Sequence, residues 1–475
     1  MSPQLNQQKG KSMKSQLSVA KFGGSLLDPE GKGVPKILKS VRELKETGSL
    51  GPIVVFSAPT GCTDELIRIG ESCAQQSVSS VDSVFQIYEN LAARYVDDKH
   101  LEEGKAELAC HKKQTEDALH IVNRRFVGNV KAKVLTYGGE LATAALMKNI
   151  LLSHGIDAAA LPVNEWPIVT DDDFEDATPS FELSQKRIAS FTRLLEAGKV
   201  VSMAGFFGVT HDGLETILGR GGSDLSAVFT SCLLKDEYNV ETLLYKDVPV
   251  QSADPKVVKG QKTWDVPSLT YNEAHKASMM GMKIVQSSAI AIARRCGLPL
   301  KVVPIDQPAD FCLIHAEKTK GQIVKCLTGK MGCAILSMRD EKSRSLEDLL
   351  HFWERRNDFI DLGAETLETG ERIRDFLFLD SDFLKKNEER LKGFDEQLKV
   401  EYGLGVVTLI GDRMKDSPGV ASIAISSIQG MNIKRSIFAP HTSQIIIVVE
   451  DKNVKTAVAG IHMKMAELNT PPASA

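Results

Sequence analysis

At 475 residues the chain is too long for one hydrophobic core, so two or three domains are expected. Its 42% hydrophobic and 25% charged content is that of an ordinary globular protein, and a net charge of −4 with a pI of about 6.3 provides no basic excess to favour nucleic acid or an anionic membrane. The 8 cysteines are scattered, without CxxC pairs or histidines at zinc spacing, which predicts reduced thiols in a cytoplasmic protein and no metal site. No apolar run reaches membrane-spanning length, and residues 1–16 lack the apolar stretch of a secretory signal, so they read as a disordered leader.

Leu17-Ser18-Val19-Ala20 reads as a short strand entering the turn Lys21-Phe22-Gly23-Gly24-Ser25. Glycines there let the backbone approach phosphate oxygens, and Lys21 adds a point charge; a lysine ahead of the glycines is not a Walker A arrangement. Val34 to Glu46 has helical spacing, and Ile53-Val54-Val55-Phe56 is apolar on both faces, as a parallel strand requires. Ser57 to Leu66 leaves that strand by a small-residue turn and opens a helix, with Thr63 or Asp64 as its cap. Val81 to Arg125 has the period of a helical hairpin. Lys133 to Leu146 reads as a turn followed by an alanine-rich helix, with Glu140 at the helix start, where a carboxylate complements the dipole. Ala158 to Val163 is a strand, Asp171-Asp172-Asp173 a solvated acidic loop, and Ser184 to Ala197 a helix.

The stretch that organises the rest is Thr216-Ile217-Leu218-Gly219-Arg220-Gly221-Gly222-Ser223-Asp224, between the apolar run Val200 to Gly208 and a helix opening at Leu225. Strand, glycine turn and helix point backbone N–H groups at an anion. Ser223 or Asp224 is the expected helix cap, and the Arg220 guanidinium can fork onto a carboxylate. A further strand at Thr242 to Tyr245 leads through Lys246-Asp247-Val248-Pro249 to Val250-Gln251-Ser252-Ala253-Asp254-Pro255-Lys256. Leu269 to Ala274 opens a helix ending near Met280-Gly281-Met282-Lys283, and Leu300 to Val303 is a last buried strand. Strands alternating with helices predict an α/β fold, an open, mostly parallel sheet sandwiched by helices.

These motifs resemble those of the amino acid kinase family, and within it the aspartokinases, from about Leu17 to the end of the chain. Lys-Phe-Gly-Gly-Ser at 21–25 and Gly-Arg-Gly-Gly-Ser-Asp at 219–224 carry the resemblance. It implies a catalytic domain over 17–305 that transfers a phosphoryl group from ATP, with Mg²⁺ carried by the nucleotide, to the β-carboxylate of L-aspartate. Lys21, Asp224 and Lys283 would be catalytic. Glu140, Arg220, Ser223, Ser57 and Thr63 would bind aspartate. Gly23, Gly24, Ser25, Gly221, Gly222, Lys246, Asp247, Asp254 and Lys256 would hold the nucleotide. The chain departs from the family pattern at Pro249 (usually Gly), Gln251 (Tyr), Lys256 (Arg) and Gln286-Ser287 (His-Pro). Two other readings compete with this one: a family member with another carboxylate or carbamate substrate, and a non-catalytic amino-acid sensor.

Beyond about Asp306 the pattern changes. Strands at Gln322 to Leu327, Ala334 to Met338, Phe359 to Leu362 and Phe376 to Leu379 surround helices at Leu346 to Arg356 and Asp382 to Leu398. The order then repeats with a strand at Gly405 to Gly411, a helix at Val420 to Gln429, strands at Asn432-Ile433 and Ile445 to Val449, and a helix from Val454. Two α+β units of this kind, at 320–400 and 401–475, resemble paired ferredoxin-like ACT domains. The resemblance implies an amino-acid effector (lysine or threonine), with Met338, Leu346, Asp361, Asn432 and Ile433 as its contacts, and a homodimer or higher oligomer.

Overall fold

The computed structural model describes residues 14–47, 50–77, 79–318, 321–352, 359–439 and 443–469. The expected leader lies outside them up to residue 13, and so does the end of the expected helix at 346–356. Residues 14–16 are structured, because the Ser15 carbonyl accepts from the Asn239 N–H at 2.9 Å and Gln16 already belongs to the first strand. The chain forms two compact units, 1–249 with 288–313 and 250–287 with 314–475.

In the first unit β1 (Gln16–Phe22), β2 (Leu50–Phe56), β3 (Ala158–Ala160), β4 (Val200–Ala204), β5 (Phe207–Val209), β6 (Glu215–Ile217), β7 (Asn239–Lys246) and β8 (Leu300–Pro304) follow one another in sequence. Six of them lie in the order β3-β4-β2-β1-β7-β8, every described pairing parallel, while β5 and β6 form a small antiparallel hairpin. β1 and β2 are buried along almost their whole length, as their unbroken apolar sequence requires. Phe22 sits opposite both Phe56 and Tyr245, with its ring 4.5 Å from that of Tyr245, so the three central strands end level. The turn after β1 therefore opens at the carboxyl edge of the sheet, where α/β folds bind ligands.

Val34–Glu46 is helical as its spacing predicts, and Asp82–Tyr95 with Asp98–His120 is the expected hairpin. The helix expected over 184–197 is instead two short ones, Phe181–Gln185 and Ala189–Glu196. The Ser184 hydroxyl turns inward and accepts from the Val169 N–H at 2.9 Å, which pins that turn to the neighbouring chain.

The second unit is built on one antiparallel sheet of six strands: β9 (Cys326–Arg339), β10 (Phe359–Thr366), β11 (Arg372–Phe378), β12 (Lys399–Ile410), β13 (Arg435–Ala439) and β14 (Gln444–Glu450), in the order β10-β11-β9-β12-β14-β13. Helices Asp340–Phe352, Ser381–Lys392, Val420–Ser426 and Val454–Asn469 complete two β-α-β-β-α repeats, the ACT-like pattern, with β9 and β12 side by side at the centre. β9 joins what the sequence read as two strands, 322–327 and 334–338. It runs continuously through a register shift between Lys330 and Cys333, where Gly332 takes a φ of 74°. Asn432 and Ile433 precede β13 and are not part of it. The segment 250–287 packs with these repeats: Ala253 and Val258 share a core with Val420, Ile445 and Ile461.

Candidate active site

The first unit gathers its charged candidates at the carboxyl edge of β1 and β7. Lys21, the penultimate residue of β1, donates to Asp224 Oδ1 at 2.7 Å, with the two side chains only 8% and 7% exposed. Lys246, the last residue of β7, reaches the other oxygen of the same carboxylate at 3.4 Å. Burial pushes the Lys21 pKa down, and Asp224 opposes that shift. Two ammonium groups on one carboxylate leave local positive charge, which suits a polyanion. The sequence grouped Lys246 with the nucleotide but carried no signal that it shares Asp224 with Lys21.

Glu140 is within electrostatic reach of Lys21, but it is not at a helix start. Residues 128–153 form one continuous helical run, interrupted at Thr136–Leu141 by a π-helical turn that contains Gly138, Gly139 and Glu140. A π turn of this kind re-aims a side chain and often marks a functional site. The Glu140 carboxylate accepts from the Ala58 N–H at 3.3 Å through Oε1, while Oε2 is buried and has no hydrogen-bond partner among the described residues. Burial raises its pKa to about 8 against the pull of the Ala58 N–H and Lys21. Tyr88, whose hydroxyl donates to the carbonyls of Gly138 and Gly139 at 3.0 Å, holds the turn in place; no motif marks that residue.

Both glycine turns are built by close backbone approach. A Cβ on Gly24 would lie 2.5 Å from the Ala58 carbonyl oxygen, and one on Gly222 would lie 3.1 Å from Phe206 Cα. Gly23 borders the Lys21 ammonium, while the Ser25 hydroxyl donates to Asp247 at 3.1 Å and ties the first turn to the end of β7. Helix Gly222–Leu234 is entered from Gly221, at φ 74°, without a side-chain cap. Ser223 and Asp224 are thus inside its first turn and do not cap it. Thr63 and Asp64 likewise sit inside helix Cys62–Ala74, which starts from Gly61 at φ 88°. In both cases a left-handed glycine takes the cap position. Ser57 and Thr63 are half-buried, and Arg220 is exposed.

Asp171 and Asp173 accept backbone N–H groups of their own loop, the arrangement of a self-satisfied turn. Among the described residues no group of three or more His, Cys, Asp or Glu is placed to hold a metal ion.

Three candidates, Asp254, Lys256 and Lys283, belong to the second unit, and all are exposed there. Among the effector candidates, Met338 and Leu346 are core residues, packed with Leu336, Phe376 and Phe378, so their side chains are not offered to a ligand. Asp361 is exposed and paired with Arg374 at 2.5 Å, Asn432 is exposed, and Ile433 packs against the second repeat's core.

Comparison with known proteins gives a consistent result. The profile described as the amino acid kinase family matches residues 16–304. An aspartokinase of Pseudomonas aeruginosa is 25% identical over 470 residues, covering 96% of this chain and 98% of that protein. One of Helicobacter pylori is 29% identical over 338 residues, covering 68% of this chain and 81% of that protein. The crystal structure of Escherichia coli aspartokinase III in complex with aspartate and ADP superposes with a TM-score of 0.74 at 20% identity, over 95% of this chain and 99% of that one, which shows a shared fold. With more than half of its length matched by the family profile and a buried Lys21–Asp224 pair at the sheet edge, this chain belongs to the amino acid kinase family.

Proposed function

We propose that the protein is an aspartate kinase, forming 4-phospho-L-aspartate and ADP from ATP and L-aspartate. The observation that carries this reading is the pairing of a buried cationic cluster, Lys21 and Lys246 on Asp224, with a buried, unpartnered carboxylate oxygen on Glu140. The cluster suits a phosphoryl group, and the lone oxygen suits an amino acid's ammonium. The full-length similarity to the Pseudomonas aeruginosa aspartokinase supports the same reading.

The nucleophile is the substrate's own β-carboxylate. Such a group ordinarily titrates near pH ~4, so it is already ionised at neutral pH. No general base is required. The barrier is repulsion between two anions, so catalysis consists of positioning and charge neutralisation. Lys21, with Lys283, neutralises the transferring oxygens, and Asp224 holds Lys21 in place. The backbone N–H groups at Gly23, Gly24, Gly221 and Gly222 add fixed partial charges. Mg²⁺ enters on the triphosphate. Glu140 takes the substrate ammonium, Arg220 forks onto its α-carboxylate, and Ser57, Thr63 and Ser223 line the same cleft.

The product would feed lysine, threonine and methionine biosynthesis in the cytoplasm. The ACT-like repeats would bind lysine or threonine as a feedback effector and join two or more copies of the chain. ADP release with Mg·ATP, measured across L-aspartate, L-glutamate, N-acetylglutamate and carbamate, tests the substrate. Release with aspartate alone is expected. Release with another acceptor would assign the chain to a different branch of the family, and release with none would favour an amino-acid sensor.

A further inference from the structure

We infer that His462, on the last helix of the second repeat, is a positioning residue for the nucleotide-side segment 250–266, which it holds through Ser252. The inference rests on the reading of Asp254 and Lys256 as nucleotide contacts and adds a residue that no motif marks.

Ser252 is fully buried, and its backbone is anchored at both ends. Its N–H donates to the Trp264 carbonyl at 2.9 Å, and its carbonyl accepts from the Leu327 N–H at 2.7 Å. Its hydroxyl oxygen accepts from the Trp264 N–H at 3.2 Å and lies 2.9 Å from His462 Nε2, 210 residues further along the chain. On the other side of the ring, His462 Nδ1 lies 2.8 Å from Gln261 Oε1, while Gln261 Nε2 donates to the Ala459 carbonyl at 2.9 Å. This pattern fixes the tautomer. Gln261 spends its N–H on Ala459, so its oxygen must accept, and Nδ1 carries the imidazole proton. Nε2 is then an acceptor, and the Ser252 hydroxyl, already receiving the Trp264 N–H, has its own proton to give. The Trp264 ring stacks on the imidazole at 4.7 Å and 12°. His462 is 1% exposed, and burial lowers its pKa, which keeps the ring neutral.

One imidazole thus joins three residues of the segment, Ser252, Gln261 and Trp264, to the helix Val454–Asn469. Ser252 stands two residues before Asp254, whose carboxylate closes a local turn by accepting from the Lys256 N–H at 2.8 Å. The backbone that presents Asp254 and Lys256 is therefore tethered from the side away from solvent. Apolar packing of Ala253 and Val258 into the same core holds the loop generally, whereas the imidazole sets its register. Removing it leaves the buried Ser252 hydroxyl and the half-buried Gln261 side chain each without one hydrogen bond, each of modest net value.

The test is the ATP dissociation constant of the full-length protein, measured by titration calorimetry for wild type, His462→Ala, His462→Gln and Ser252→Ala, beside kcat and both KM values. His462→Ala and Ser252→Ala should weaken ATP binding roughly five- to tenfold, with kcat and the aspartate KM within about twofold. His462→Gln, which retains an acceptor for Ser252, should recover most of the loss. An unchanged ATP constant in folded His462→Ala overturns the inference, and so does a parallel loss in every parameter that glutamine does not rescue. A wild-type protein that forms no acyl phosphate while its ATP constant still shifts in the variants overturns the kinase reading and leaves the clasp standing. A wild-type protein that binds no ATP overturns both.

Discussion

Glu273 and Lys325 are ion-paired at 2.6 Å with side chains 0% and 5% exposed. Glu273 also completes a capping box with Thr270 and accepts from the Asp412 N–H at 2.8 Å, while the Thr270 hydroxyl donates to Asp412 at 2.9 Å. The helix Tyr271–Met279, just ahead of Lys283, is thereby clipped to the chain entering β9 and leaving β12. Buried pairs of this kind tolerate joint replacement better than the loss of one partner. Lys325→Met alone should cost about 3–5 kcal/mol, and Glu273→Gln with Lys325→Met should recover part of it. Calorimetric unfolding of the single and double variants measures the difference.

Lys21→Ala should reduce kcat roughly a hundred- to thousandfold or more, as removal of one preorganised donor to developing charge does. Lys21→Arg should rescue little, because the Gly23–Gly24 turn is built around a compact ammonium beside Asp224. Steady-state turnover decides this, with a melting temperature near wild type as the control for folding.

Aspartate affinity should depend on pH through Glu140. With its pKa raised to about 8, the carboxyl in the empty site is mostly protonated at neutral pH, and an incoming ammonium must displace that proton. Affinity should therefore improve as pH rises towards about 8 and level off above it. The free-protein linkage has the opposite sense: the folded state holds a proton that the unfolded chain releases near 4.5, so stability falls as pH rises from there towards about 8. Glu140→Gln should abolish both slopes and raise the aspartate KM. Aspartate KM and melting temperature between pH 6 and 9 provide the measurement.

Gly24→Ala places a Cβ 2.5 Å from the backbone oxygen of Ala58, which cannot move without displacing the carbonyl-to-amide spacing that aims Glu140. It should impair ATP and aspartate binding together. Gly213→Ala, at a solvent-facing turn with nothing within 4 Å of the added atom but a φ of 85°, should cost about 1 kcal/mol of stability and leave both affinities alone. Paired titrations of the two variants separate close approach from backbone strain.

Much of the first unit was legible because its signals are local. Helix Val34–Glu46 and the two glycine turns follow from spacing and residue type alone. The sequence misplaced the helix caps at Thr63 and at Ser223 or Asp224, because the left-handed glycines Gly61 and Gly221 precede residues that look like better caps. Glu140 was recognised as a candidate but assigned the wrong setting, since a π turn has the same composition as a turn followed by a helix. The packing of 250–287 with the repeats was not readable either. It depends on Glu273 meeting Lys325 and on Ser252 meeting His462, and contacts that distant in sequence leave no periodic trace.

The most direct test of the central claim is hydroxylamine trapping of acyl phosphate from purified protein, Mg·ATP and L-aspartate, repeated with lysine and with threonine. The account predicts aspartate-dependent hydroxamate, lost in Lys21→Ala and reduced by one of the two amino acids. Hydroxamate that is absent in wild type, or that persists unchanged in Lys21→Ala, would contradict it.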